Sequence, residues 1–286
     1  MVEITPIPGE AAALIGDDAI VVADLHLGIE RELYGDRFPS QLPRIVDGIQ
    51  RLCDRYAVGR VALLGDIKHE LPGMTGGGAN GGRSGRKEAR VLLRRLLEVV
   101  PQLDVVKGNH DAGIEGIARG LDNVRVHGAR GFTLDGVGLF HGHAWPSPEV
   151  MVEQALMGHT HPVVQFTDAL GSRITKRCWV RAHLTPKGRE RYPQGNRVVI
   201  MPAYNELCGG APFNVNVKSS SNSSSSSNSN SNSNSSSSSS SNSNDGPVGP
   251  LLRGGILDMD GADLYLLDGA YLGSARQLRM NGEVRR

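Results

Sequence analysis

Cysteine is scarce in this chain: its 286 residues include Cys53, Cys178 and Cys208, an odd number with no C-x-x-C pair. That excludes a disulfide scaffold and suits a reducing compartment. Long apolar runs are missing as well. Nothing approaches the ~18 unbroken apolar residues of a membrane-spanning helix, and Met1 to Asp18 lacks the basic and apolar regions of a signal peptide. The expectation is a cytoplasmic protein with no membrane partner. Nor is there an excess of one charge, since 31 Lys plus Arg face 30 Asp plus Glu. The net charge of +1 excludes a histone-like or strongly acidic protein, and by itself it names no partner.

A length of 286 residues is enough to bury a large core. Two segments stand apart. Residues 219–244 contain only Ser and Asn, which bury no apolar area and cannot offset the entropy of ordering, so a disordered tract is expected there. Glycine is dense over Pro72 to Gly85, which predicts a long loop. Both read as insertions into one domain spanning 1–286.

Elsewhere strand-like and helix-like pieces alternate. Ala19 to Ala23, Val61 to Leu64 and Leu103 to Val106 are short apolar runs suited to buried strands. Between the first two, Leu42, Ile45, Val46, Ile49, Leu52, Cys53 and Tyr56 recur at helical spacing, and Arg86 to Val100 reads as a second helix. The order implies parallel βαβ units. Beyond residue 120 the pattern turns to short strands: Asn123 to Val126, Phe132 to Leu134, Val137 to Phe140, Val163 to Thr167, Ile174 to Val180 and Val198 to Met201. A last hairpin is expected from Ile256–Met259 and Leu264–Leu267 across Asp260-Gly261.

Five groups of metal-ligand residues directly follow predicted strands: Asp24-x-His26, Gly65-Asp66, Gly108-Asn109-His110-Asp111, His141-Gly142-His143 and Gly158-His159-Thr160-His161. Loops beyond the carboxyl ends of strands converge in α/β sheets, so ligands remote in sequence can meet in one crevice. Carboxylate, amide oxygen and imidazole together suit Mn²⁺, Fe²⁺, Co²⁺ or Zn²⁺, with no call on cysteine. Two such ions can clamp a phosphoryl group and acidify a water.

The ordered series D-x-H, G-D, G-N-H-D, H-G-H and G-H-T-H resembles the calcineurin-like metallophosphoesterase superfamily. Ala23-Asp24-Leu25-His26-Leu27-Gly28, Gly65 to Glu70 and Pro202-Ala203-Tyr204-Asn205 are most similar to its archaeal ICC-like, SbcD-related phosphoesterases. The resemblance implies an α/β fold, a four-layer α-β-β-α sandwich of two mixed sheets. It also implies two divalent ions, with Mn²⁺ favoured. One ion would fall to Asp24, His26, Asp66 and His161, and the other to Asp66, Asn109, His141 and His159. Asp66 would bridge them, and a bridging hydroxide would attack phosphorus. His110 would be the non-ligand histidine at the transition state, with Asp111 orienting it. His69, at a position where phosphoprotein phosphatases carry Asp, tilts the expectation towards phosphodiesters in nucleic acid or nucleotides. His143 is expected over the substrate or behind the ligands.

Basic residues run through Arg173, Lys176, Arg177, Arg181, Lys187, Arg189, Arg191 and Arg197, with Trp179 and Tyr192 among them. They read either as a polyanion track with stacking aromatics or as a guarded sheet edge with ordinary packing residues. Two other functions stay open beside the phosphodiesterase: a phosphomonoesterase acting on metabolites or phosphoproteins, and a non-catalytic metal-binding scaffold in a DNA-processing assembly. The sequence names no protein partner.

Overall fold

The N-terminal residues pair as short antiparallel strands, β1 (Ile4–Pro6) with β2 (Ala12–Ile15) and β2 with β3 (Ala19–Val22). From β3 the sheet continues in parallel through β4 (Arg60–Leu64), β5 (Gln102–Val106) and β6 (Val124–His127). Helices α1 (Ile29–Tyr34), α2 (Leu42–Tyr56), α3 (Gly81–Leu97) and α4 (Ile114–Ala118) lie in the connections. The computed structural model describes residues 2–35, 37–70, 81–168, 170–215 and 248–284. The expected Ser/Asn tract and the 72–80 part of the Gly-rich loop lie outside the described residues.

The second sheet is built from β7 (Phe132–Leu134), β8 (Val137–Phe140), β9 (Gln154–Met157), β10 (Pro162–Thr167), β11 (Arg173–His183), β12 (Arg197–Ile200) and β13 (Ala211–Pro212). Its order is β13-β10-β11-β12-β9-β8-β7, with parallel pairing at β8/β9, β9/β12 and β10/β13. The chain then closes through α5 (Pro186–Arg191), α6 (Pro250–Arg253), β14 (Asp263–Leu266), β15 (Tyr271–Ser274) and α7 (Ala275–Val284), with β14 paired to β11 and β15.

Strand side chains alternate between faces, and here the two faces of each sheet feed different cores. In β3 and β4, Ile20, Val22, Val61 and Leu63 pack against Ile45, Ile49, Leu92 and Leu96 of the helices. Their neighbours Ala19, Val21, Ala62 and Leu64 instead meet Leu139, Leu156, Trp179 and Val199 of the second sheet. The far face of that sheet, with Phe140, Met157, Val180 and Ile200, is covered by Leu251, Leu257 and Ala275. Three apolar layers therefore separate four layers of structure, the expected α-β-β-α sandwich with two mixed sheets.

Two local expectations changed. Helix α3 begins at Gly81, inside the segment read as loop, because Ala89, Leu92, Leu93 and Leu96 bury against the first sheet and outweigh the roughly 1 kcal/mol that glycine costs in a helix. The last hairpin is displaced. Asp260-Gly261 does not join two strands, since the Asp258 carboxylate accepts from Gly261 N–H at 3.0 Å and makes a local side-chain turn. Leu257 forms only a bridge to Leu184, and Asp263–Leu266 pairs with Tyr271–Ser274 instead. No helix among the described residues is long and apolar enough to cross a membrane.

Candidate metal centre

All five sequence groups meet at the carboxyl ends of β3, β4 and β5 in one sheet and β8 and β9 in the other. The backbone is knitted there: Asp24 N–H donates to Gly65 O at 3.2 Å and His26 N–H to Asp66 O at 2.8 Å. Seven non-glycine residues among those described have positive φ, and five of them are Asp24, His26, Asp66, His159 and His161. A left-handed conformation costs on the order of 1–3 kcal/mol per residue, so the fold concentrates strain where these side chains must converge. Gly108 shows why glycine precedes a ligand: a Cβ there would stand 2.2 Å from Asp66 Oδ1.

The donor atoms are spaced as ligands of common ions. Donors about 2.1 Å from one metal stand roughly 3.0–3.4 Å apart at octahedral or tetrahedral angles. His161 Nε2 is 3.4 Å from both His26 Nε2 and Asp24 Oδ1, and His26 Nε2 is 3.6 Å from Asp66 Oδ2. On the other side, His141 Nε2 is 3.3 Å from Asp66 Oδ2 and 3.2 Å from Asn109 Oδ1. His159 joins Asp66 and His141, its backbone N–H donating to the Asp24 carboxylate at 2.9 Å. Asp24, Asp66 and His141 are buried, and the oxygen and nitrogen donors fit a divalent ion.

Carbonyl oxygens set the ring orientations. A carbonyl can only accept, so the Nδ1–H of His141 donates to Leu64 O at 2.8 Å and that of His161 to Gly209 O at 3.0 Å, leaving each Nε2 turned inward. Burial opposes charge on Asp24 and Asp66, but the surrounding imidazoles outweigh it and hold both carboxyls below their ordinary values. Burial likewise opposes a cation at His141, yet Asp66 and Asp24 push it up to about 9. His26 and His159, where burial dominates, drop to about 3. Two buried carboxylates thus call for positive charge, which a metal ion would supply.

The non-ligand candidates take distinct places. His110 Nδ1–H donates to Glu70 O at 2.9 Å, and its Nε2 faces Asp66 Oδ2 at 3.9 Å. Asp111 does not hold that ring. Its carboxylate accepts from the amides of Ile67 at 3.0 Å, Lys68 at 3.3 Å and Gly108 at 3.0 Å, tying two site loops together. His143 is half-buried with its ring 5.1 Å from that of His141, and burial lowers it to about 4. His69 bridges outward: its Nδ1 is 3.0 Å from His26 Nδ1, and its Nε2 is 2.8 Å from Glu32 Oε2. Sequence reasoning missed Glu32, which carries no motif of its own and is brought in by α1. Glu32→Gln is expected to weaken metal affinity by roughly 10–100-fold while leaving the fold intact, because the carboxylate orients His69 and through it His26. Calorimetric Co²⁺ titration checks this, and unchanged affinity would sink it.

Sequence reasoning also gave Cys208 no chemistry, yet its sulfur joins His26 and His161 in a group whose donor atoms all lie within 4.8 Å of one another. Four residues of the basic stretch are engaged in local contacts. Arg177 donates to Ala203 O and Tyr204 O, Lys187 to Gly254 O and Arg197 to Gln154, while Arg191 stacks 4.0 Å over Trp145. Trp179 and Tyr192 are buried packing residues, which removes them as base-stacking platforms.

No family model and no curated protein sequence matches the chain. Among solved structures it is similar to the Pseudomonas putida nuclease MPE, at 17% identity over 94% of this chain and 100% of that one, with a TM-score of 0.45. It is also similar to Yfce, a phosphoesterase from E. coli, at 18% identity over 52% of this chain and 73% of that one, with a TM-score of 0.32.

Proposed function

We propose that this chain is a two-metal phosphoesterase of the calcineurin-like type, acting on phosphodiesters. The observation that carries the reading is the sharing of Asp66 between two donor groups, Asp24-His26-Asp66 and Asp66-His141-His159. A carboxylate common to both sets is the element that a dinuclear centre requires. His161 adjoins the first group and Asn109 the second, in line with the partition that the resemblance implies.

Two divalent ions bound there would supply Lewis acidity and a water acidified enough to be a nucleophile near neutral pH. The chain's own residues do the rest. Asp24 and Asp66 hold negative charge that keeps cations in place. His110, with Nδ1 committed to Glu70 O, presents Nε2 towards the cluster, where it can donate to a phosphoryl oxygen or leaving oxygen. His69 and His143 flank the ligands, and burial lowers both, so they stay neutral. Neutral flanking groups suit the single charge of a diester better than the double charge of a monoester.

Hydrolysis of bis(p-nitrophenyl) phosphate and of p-nitrophenyl phosphate with Mn²⁺ tests the reading. Diester turnover above monoester turnover, abolished by chelation, is the expected result. Monoester preference would make the chain a phosphatase, and no turnover at confirmed metal occupancy would make it a scaffold.

A further inference from the structure

The loop after β12 is tied to the metal centre along its length. Tyr204 N–H donates to Ala23 O at 2.9 Å, and the Asn205 side-chain amide donates to Leu25 O at 2.9 Å. Asn205 then shapes the next turn, its Oδ1 accepting from Leu207 N–H at 3.0 Å and its backbone O from Cys208 N–H at 3.1 Å. Beyond Cys208, Gly209 O takes the Nδ1–H of His161, and Ala211 N–H donates to His161 O at 3.1 Å. Gly210 must be glycine, because a Cβ there would lie 2.4 Å from His161 O. Cys208 is therefore held between the residues flanking His26 and the backbone of His161, and its sulfur completes a three-donor group with those two imidazoles. Among the described residues its sulfur makes one polar contact, a long S–H to Asp24 O at 3.8 Å, too weak to account for so constrained a placement.

We propose that Cys208 is a thiolate ligand of the ion held by Asp24, His26, Asp66 and His161, and that it makes this half of the centre a site for Zn²⁺, Fe²⁺ or Co²⁺ rather than Mn²⁺. On binding, the sulfur donates an electron pair to the ion and the thiol proton leaves to solvent. Soft sulfur favours Zn²⁺, Fe²⁺ and Co²⁺ over the harder Mn²⁺, whereas the other half of the centre, with Asn109, His141 and His159, has no sulfur donor among the described residues. The other two cysteines are buried in apolar cores, Cys53 under α2 and Cys178 on β11, and neither joins a donor group among the described residues.

This assignment rests on the metal-centre reading, and cobalt separates the two. The full chain is loaded anaerobically with Co²⁺ and its absorption recorded. Visible d–d bands report binding by the histidines and carboxylates, while a near-ultraviolet sulfur-to-cobalt charge-transfer band reports thiolate ligation. Both bands in the native protein, with only the charge-transfer band lost in Cys208→Ser, is the expected result. Visible bands without charge transfer in the native protein would overturn the Cys208 assignment and leave the metal centre standing. A charge-transfer band that survives in Cys208→Ser would overturn it too, since the sulfur would be another residue's. Absence of any cobalt spectrum, with no bound cobalt by elemental analysis, would overturn both readings.

Discussion

Asp66→Asn is expected to lose both ions together. The carboxylate is 2% exposed, and its Oδ2 lies 3.6 Å from His26 Nε2 and 3.3 Å from His141 Nε2, so one oxygen faces the imidazoles of both half-sites. Its Oδ1 accepts from His110 N–H at 2.9 Å. An amide of the same shape keeps an acceptor for that N–H, so folding should survive. What it lacks is the anion, and a neutral amide would place its own N–H donors or an uncharged oxygen against cations. Hydrolysis should fall by ~10³-fold or more, to the level of the chelated protein, because neither ion remains to polarise the phosphoryl group. Elemental analysis after dialysis is the direct measurement. Retention of one ion at near-native affinity would mean that Asp66 serves a single half-site, and the dinuclear reading would fail.

Most of the candidate donors are legible because they follow short apolar runs that read as strands. Apolar runs such as Ala19–Ala23 and Val61–Leu64 mark central strands, and polar motifs after them must fall on the carboxyl edge. Elements without such a run were not legible: β1 is three residues long and ends in proline, and β9 opens on Gln154. Asp260-Gly261 misled because Asp258 captures the turn, an interaction that depends on rotamer and not on the dipeptide. The supporting residues share a different difficulty. Glu32 and Cys208 lie in no recognisable spacing, and each meets the site only after α1 or the β12 loop has folded back on it. Residue type says what such a side chain can do, but tertiary contact alone says what it does.

His110→Ala is expected to lower kcat by roughly 10²–10⁴-fold while leaving ion content unchanged. The ring lies outside the two donor groups that share Asp66 but falls in a further group with His26 and His69, so unchanged ion content is what separates a catalytic role from a ligand's. The imidazole is closely positioned. Lys68, fully buried, donates from Nζ to the Glu70 carboxylate and to His110 O, the latter at 2.7 Å. Glu70 in turn offers its backbone O to His110 Nδ1–H, closing a three-residue frame around the imidazole. The ring stacks on His69 at 5.3 Å between centroids and 15° between planes, which limits its rotation. A buried ammonium spent on one carboxylate and one carbonyl is costly unless the geometry it fixes is used. On the proposed function, that use is to aim Nε2. Steady-state kinetics on the diester, with KM and kcat separated and ion content measured in parallel, decides the matter. A loss confined to KM would make His110 a binding residue, and a parallel loss of ions would return it to the ligand set.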